Sequence, residues 1–166
     1  LNYLMRRLAL IAAASLGLGV AVIVDQPASF AHHMAPKKGE FRSGGNLAHT
    51  NLKGVNLNTA NLSGAILNNA NLSGASLSRT NLKDANLRGA NLSGASLSNA
   101  SLSNANLQAA NLSRAKLSGA NLRGANLLGA NLSGTKLSEA IITGTKGCPK
   151  SLPSEWVCRN SSIVRR

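Results

Sequence analysis

Residues 85–94 read A-N-L-R-G-A-N-L-S-G, and this five-residue unit runs without a slip from Gly45 to Gly144. A leucine, or Ile142 in the last unit, stands at every fifth position, and a small residue stands two places before it. An α-helix would scatter leucines at this spacing around its axis, and a flat strand would alternate them between its two faces. Extended segments joined by regular corners fit the period, so the sequence predicts an all-β solenoid with leucine inside.

The other positions of the unit support this prediction. The small residue shares the inner face with leucine, and the positions that point outward are chiefly Asn, Ser, Lys and Arg. Glycine ends ten of the twenty units, where a corner requires an unusual backbone conformation. Successive coils are expected to stack about 4.8 Å apart.

The units A-N-L-S-G, A-N-L-R-G and A-S-L-S-N resemble those of the pentapeptide-repeat family, and the resemblance covers 100 of the 166 residues. It implies a right-handed quadrilateral β-helix with four units per coil. About five coils would then occupy residues 46–145. The family also includes members that resemble DNA in shape and charge and act on DNA gyrase.

The first 31 residues have the features of an export signal. Arg6 and Arg7 precede an apolar run, Leu8–Val24, and the small residues Ser29 and Ala31 follow it. This order predicts a helical signal peptide in residues 1–31 that is cleaved after Ala31. The expected location is then periplasmic or secreted. An uncleaved membrane anchor formed by residues 8–24 is the alternative.

Two shorter segments flank the repeats. Residues 32–45 are predicted to form a flexible basic arm and N-terminal cap, and residues 146–166 a C-terminal capping tail. The tail holds the only two cysteines, Cys148 and Cys158, which are expected to form a disulfide in an exported chain. Its apolar residues are predicted to cover the last coil, or alternatively to form a homodimer surface: Leu152, Trp156, Val157 and Ile163.

The outer surface offers two candidate binding features. The chain carries a net charge of +13, which attracts an anionic polymer such as nucleic acid, lipid or cell-wall glycan, although charge also serves solubility. The candidate basic surface consists of Lys83, Arg88, Arg114, Lys116 and Arg123. The second feature is a polar ladder that could bind an ordered surface, or could simply stabilise the coil through stacked amides: Asn51, Asn71, Asn91, Asn111 and Asn131.

The sequence offers no catalytic arrangement. The four carboxylates after residue 31 are far apart in the chain, and no Ser-His-acid set or phosphate-binding loop is evident. We therefore expect no enzyme activity, no cofactor, no metal and no small-molecule substrate. The leading hypothesis is an exported structural or binding module at the cell envelope, whose partner is an unknown protein or an anionic envelope polymer. A DNA-mimicking gyrase modulator is a weaker hypothesis, because mimicry requires an acidic surface.

Overall fold

The computed structural model of the protein describes Leu10–Ala13, Val20–Ile23 and residues 42–166. These described residues include four regular strands: β1 (Leu10–Ala13), β2 (Val20–Ile23), β3 (Trp156–Arg159) and β4 (Ser162–Arg165). β1 pairs with β2 and β3 pairs with β4, both in antiparallel register. From Asn46 to Ser151 the chain winds as a stack of single-residue parallel bridges.

The apolar run was expected to form a helix, but its described part does not. Leu10–Ala13 and Val20–Ile23 form the β1–β2 hairpin instead. The β-branched residues of β2, Val20, Val22 and Ile23, favour an extended backbone over a helix. The predicted cleavage site after Ala31, and residues 32–41 of the predicted arm, lie outside the described residues.

The coil has a period of twenty residues. Each parallel bridge joins a residue to the one twenty positions later, as between Asn71 and Asn91. Twenty residues are four units, so each coil has four sides and each side holds one unit. Three backbone hydrogen bonds per unit connect neighbouring coils: the N–H of Leu87 donates to the carbonyl of Asn106 at 2.8 Å, the N–H of Gly89 to the carbonyl of Gln108 at 2.9 Å, and the N–H of Asn106 to the carbonyl of Ala85 at 2.9 Å. Apart from one turn bond in each unit, the backbone hydrogen bonds of the coil therefore run between coils.

Leucine fills the axis of the coil. From Leu47 to Leu132 every leucine at the fifth position is at most 1% exposed, and the alanines two places before them are at most 3% exposed. Burying each leucine contributes roughly 1.5–3 kcal/mol. Where threonine replaces alanine, its hydroxyl finds a carbonyl: Thr80 Oγ1 donates to Leu57 O at 2.7 Å and Thr135 Oγ1 to Leu132 O at 2.9 Å. The inner position thus accepts a hydroxyl without an unsatisfied polar group.

Every unit ends in the same tight turn. The N–H of Ala90 donates to the carbonyl of Leu87 at 3.0 Å, and Gly89, the third residue of that turn, has a φ of +66°. A positive φ at this position is the signature of a type II turn. All twenty residues at this position have a positive φ, although only ten are glycine. The sequence indicated a positive φ only at the ten corners that have glycine. The structure shows it at all twenty.

Asparagine holds the start of the turn in those units that have it directly before leucine. The Oδ1 atom of Asn86 accepts the N–H of Arg88 at 3.2 Å, and Asn106 does the same for Gln108 at 3.1 Å. The side chain thus satisfies the one turn N–H that no backbone carbonyl reaches, as Asn commonly does two residues ahead of itself. This bond explains why the unit prefers Asn directly before leucine.

The coil extends beyond both ends of its predicted range, residues 46–145. At the start, Gly44 already occupies a corner with a φ of +71°, and its N–H donates to Ser63 O at 2.8 Å. Residues 42–45 therefore belong to the coil and not to the arm. At the end, Lys146 bridges to Asn126 and Ser151 bridges to Asn131, so the stack continues past residue 145.

The extra turn of chain lacks the repeat sequence but keeps the parallel bridges to the preceding coil. Gly147 occupies the leucine position, with a φ of +76°. A Cβ atom added to Gly147 would lie 2.6 Å from the Cβ and 2.8 Å from the Cα of Leu128. Glycine is therefore required there both by the backbone angle and by the close approach of the coil beneath. Leu152 returns to the leucine series twenty residues after Leu132 and packs against the core.

The β3–β4 hairpin closes the C-terminal end. Its two-residue turn, Asn160 and Ser161, has positive φ at both residues, as in a type I′ turn. Ile163 is 2% exposed and belongs to the leucine core, and Trp156 packs against that core. The Ser162 hydroxyl donates to Thr145 O at 2.6 Å. Cys148 and Cys158 are disulfide-bonded, with their Cα atoms 5.6 Å apart, so the bridge fastens β3 to the last part of the coil.

Candidate binding surface

The twenty-residue period assigns every outward side chain to one of four sides. We name the sides A to D after the leucines that begin them, Leu47, Leu52, Leu57 and Leu62, each followed twenty residues later by the next member. Of the candidate basic residues, Arg88 is at the corner where side A meets side B, and Arg114 is at the corner where side B meets side C. Lys116 is on side C, and Lys83 and Arg123 are at the corner where side D meets side A. The structure therefore does not bring these five residues onto one face.

The five asparagines of the ladder do share one side, side B. In three steps of the ladder the Nδ2 atom donates to the Oδ1 atom of the preceding asparagine: Asn71 to Asn51 at 3.3 Å, Asn91 to Asn71 at 3.4 Å and Asn111 to Asn91 at 3.4 Å. The same Oδ1 atoms accept turn N–H groups, as Asn91 does from Ser93 at 3.1 Å. At Asn131, the Ser151 hydroxyl takes the place of the next amide.

These bonds decide which chemistry the ladder shows to solvent. The oxygens of Asn71 and Asn91 each accept two hydrogen bonds and so use both lone pairs. Asn91 and Asn111 each use only one of their two Nδ2 hydrogens to bond along the ladder. The ladder is consequently a row of donors, which would favour a partner rich in carbonyl or carboxylate oxygens.

A shallow groove lies beside the ladder, where side B meets side C. Three serines from neighbouring coils, two amides of the ladder and one arginine form its lining, together with Gly94: Ser93, Ser113, Ser133, Asn111, Asn131 and Arg114. Arg114 is the only charged residue in this lining. Its Cγ atom lies 3.6 Å from the position that a Cβ atom would take on Gly134, so its stem leans toward the following coil.

A second lysine, which the sequence analysis did not include, completes this region. Lys116 and Lys136 form a parallel bridge pair on side C, directly after the corner that holds Arg114. Both lysines are exposed, as is Arg114. Their spacing of twenty residues is the signal in the sequence that would have found this pair.

Elsewhere the described residues hold few features of a site. Within Leu10–Ala13, Val20–Ile23 and 42–166, no group of three or more His, Cys, Asp or Glu residues is placed to hold a metal ion. The same residues include no helix that is long and apolar enough to cross a bilayer. The large apolar side chains exposed on the coil, Ile66, Leu128 and Ile141, do not stack on one another, since Ile66 and Leu128 are three coils apart and Ile141 is on side D.

The family model for pentapeptide repeats matches residues 43–79, 80–119 and 115–146, with eight copies. The chain belongs to the pentapeptide repeat family. The fold of this family is the right-handed quadrilateral β-helix, which agrees with the four-sided coil described above. No curated protein matches the chain significantly.

Solved structures of pentapeptide repeat proteins resemble the chain. One from the cyanobacterium Cyanothece 51142 is 45% identical, with a TM-score of 0.55, over 57% of this chain and 64% of that one. One from the Arabidopsis thaliana thylakoid lumen is 33% identical, with a TM-score of 0.45, over 61% of this chain and 63% of that one. QnrB1, a plasmid-mediated fluoroquinolone resistance protein, is 18% identical, with a TM-score of 0.43, over 63% of this chain and 64% of that one. The chain thus spans less than two thirds of these proteins.

Proposed function

We propose that this pentapeptide repeat protein is an exported, non-enzymatic structural or binding module of the cell envelope. The observation that carries the proposal is the filled axis of the coil. Because the leucines from Leu47 to Leu132 are at most 1% exposed, the coil can offer a ligand only its outer surface. That surface displays amides, hydroxyls and separated cations, which suit adhesion better than bond-making chemistry.

The geometry supports a role as a rigid spacer. We count five coils in residues 46–145, which at about 4.8 Å per coil give a rod roughly 24 Å tall. Each coil is tied to the next through three backbone hydrogen bonds on each of four sides, so bending would break several bonds at once. A rod of this kind holds its surface columns at fixed spacing.

Export is supported by the sequence of the first 31 residues and by the disulfide. The Cys148–Cys158 bridge uses the only two cysteines of the chain. Disulfides persist in oxidising compartments and are rare in the reducing cytosol. The periplasm or the cell exterior is therefore the location that we propose, with a membrane anchor in residues 8–24 as the alternative.

The intact mass of the native protein, purified from its own cells, tests this proposal in one measurement. We expect a mass that matches residues 32–166 less two hydrogens. Reduction of the same sample should then add two hydrogens, which serves as the internal control for the bridge. A full-length chain with both thiols free would refute the export proposal. A full-length oxidised chain in the membrane fraction would favour the anchor.

A gyrase-directed role is not the function we propose. The repeats carry eight basic residues against Asp84 and Glu139, a net charge of +6, whereas a DNA mimic needs an acidic surface.

A homodimer through the tail would have to use a small apolar area, because Ile163 is buried and Leu152 and Trp156 pack against the chain's own core. The partner we favour is an anionic polymer of the envelope.

A further inference from the structure

The structure concentrates positive charge at one corner of the coil. Lys116 and Lys136 are bridge partners on neighbouring coils: the N–H of Lys136 donates to Ala115 O at 3.1 Å, and its carbonyl accepts the N–H of Leu117 at 2.9 Å. Arg114 precedes Lys116 by two residues, and its stem leans over Gly134 toward the coil of Lys136. We call these three residues, Arg114, Lys116 and Lys136, the basic corner.

The basic corner is not neutralised by the chain itself. No carboxylate of the described residues pairs with Arg114, Lys116 or Lys136. Glu139 is on the same coil as Lys136, but it occupies the corner at the opposite end of side C. Like charges directly opposite each other on paired strands destabilise the pairing. The other outward residues of this column, Asn56, Ser76 and Ser96, show that the coil does not need lysine there.

An external anion would remove this repulsion. A carboxylate between Lys116 and Lys136 would accept hydrogen bonds from both ammonium groups, and Arg114 can hold a carboxylate with two parallel N–H donors. The groove that begins at Arg114 continues the same preference, because the second Nδ2 hydrogen of Asn111 and the serine hydroxyls offer further donors to oxygen.

We propose that the basic corner and the adjoining groove bind a carboxylated polysaccharide, with uronate carboxylates on the three cations and sugar hydroxyls along the groove. The serines of the groove repeat at the coil spacing of about 4.8 Å, which is close to the advance of one pyranose unit in a linear glycan. Single-stranded nucleic acid fits less well, since the described coil has no aromatic side chain on which bases could stack. The choice of a glycan rests on the proposed envelope location, whereas the anion site itself rests only on the geometry.

The test is the binding of the purified, oxidised protein to polygalacturonate, measured by calorimetry at low salt. Fully methyl-esterified polygalacturonate has the same backbone without charge and serves as the ligand control. The variant Lys116→Ser/Lys136→Ser removes two charges and installs a residue that this column already uses. The matched variant Lys83→Ser/Arg123→Ser removes two charges at another corner, in a column that already contains Ser63 and Ser103.

We expect wild-type protein to bind polygalacturonate and not the ester. The Lys116→Ser/Lys136→Ser variant should bind about tenfold or more weakly, and the matched variant should change the affinity by less than about threefold. Equal losses in both variants would mean diffuse attraction and would overturn the site. Tighter binding to a DNA oligomer or to phosphatidylglycerol vesicles than to polygalacturonate would overturn the glycan assignment.

Stability provides a second readout that does not depend on the ligand used. Without ligand, Lys136→Ser should raise the melting temperature by about 2 °C, because it removes the stacked like charge. A lower melting temperature would show that the lysines do not repel each other and would overturn the argument. An intact-mass result against export, combined with selective loss of binding in the Lys116→Ser/Lys136→Ser variant, would refute the envelope function but leave the anion site standing.

Discussion

The corner residue is the position at which single residues affect this fold most clearly. All twenty corners have a positive φ, including that of Ala109 at +56°. An L-residue with a side chain is strained in this left-handed region, whereas glycine is not. The non-glycine corners therefore store strain that the leucine core and the bonds between coils outweigh.

Replacing Ala109 with glycine should therefore stabilise the protein. We expect Ala109→Gly to raise the free energy of unfolding by about 1 kcal/mol, because relief of the left-handed strain exceeds the entropy that glycine adds to the unfolded chain. The control is Ala48→Gly, the same chemical change one place earlier in a turn, where φ is not positive. That variant should lose roughly 0.5–1 kcal/mol. Thermal unfolding of the two variants checks the pair, and similar losses in both would contradict the argument.

The corner residues also show which backbone angles can be predicted from the sequence and which cannot. Glycine at ten corners indicates a special backbone angle, but Thr59 and Glu139 have the same angle without any local signal. They adopt it because hydrogen bonds to the neighbouring coil, such as that from the N–H of Thr59 to Ser78 O, fix the path of the chain. This is a tertiary effect that propensity does not contain. The Asn–leucine pairing is visible in the sequence, whereas the bond from Asn Oδ1 to the turn N–H is apparent only in the structure.

The elements at the two ends of the coil were the hardest to predict. The coil continues to Ser151 although the repeat sequence stops at residue 144. Two signals remained in the sequence. Leu152 is in register with Leu132. Gly147 must be glycine because of the nearby backbone of Leu128 and not because of its neighbours in sequence. The β1–β2 hairpin likewise replaced an expected helix. Periodicity identifies the repeats but is silent where contacts between distant residues determine the backbone.

The added coil segment gives a sharp test at the scale of one element. Gly147→Ala should destabilise the C-terminal end by about 2 kcal/mol or more, since the new Cβ would overlap the backbone of Leu128 in addition to the strain of a positive φ. Gly144→Ala is the control, because φ is +67° there but the nearest atom lies 4.0 Å away. Gly144→Ala should lose only about 1 kcal/mol. Hydrogen exchange at the amides of β3 and β4 would locate the effect, and equal losses would refute the proposed overlap.

The disulfide is the second device that holds this element. Cys148→Ser/Cys158→Ser should lower the stability of the tail by about 3 kcal/mol on the chain-entropy model, because the bridge closes a loop with a sequence separation of 10. We expect faster hydrogen exchange in β3 and β4 and unchanged protection around Leu87, far from the tail. Loss of protection throughout the coil would show instead that the tail is needed for the whole fold.

In the molecule as a whole, the position of each outward residue is given by two things, the coil to which it belongs and the side of that coil on which it lies. The leucine period predicts the coil from sequence alone, but the faces of the surface emerge only once a coil is known to contain four units. The predicted basic residues illustrate this, because Lys83, Arg88 and Arg114 fall on different corners, while Lys136, omitted at first, falls beside Lys116. The core was therefore predictable in detail, and the surface was predictable only in composition.

Deleting whole units tests this independence. Removal of residues 120–124, one unit between Lys116 and Lys136, should leave a cooperatively unfolding β-helix but move Lys136 to side B and weaken polygalacturonate binding about tenfold. Removal of residues 75–94, one full coil, should preserve the basic corner and its binding. Circular dichroism and calorimetry on both variants would check this, and retained binding after the five-residue deletion would contradict the four-sided assignment.

Because each twenty-residue coil is built from four five-residue units, gain or loss of single units during evolution would change the surface of the protein. A gene with short tandem repeats gains and loses units through replication slippage, and each such event here would keep every leucine on the axis. Every side chain beyond the event, however, would turn by one side of the square. Lineages could therefore change the pattern of their surface in a single step while the fold persisted, and only changes of four units would transmit an existing face intact.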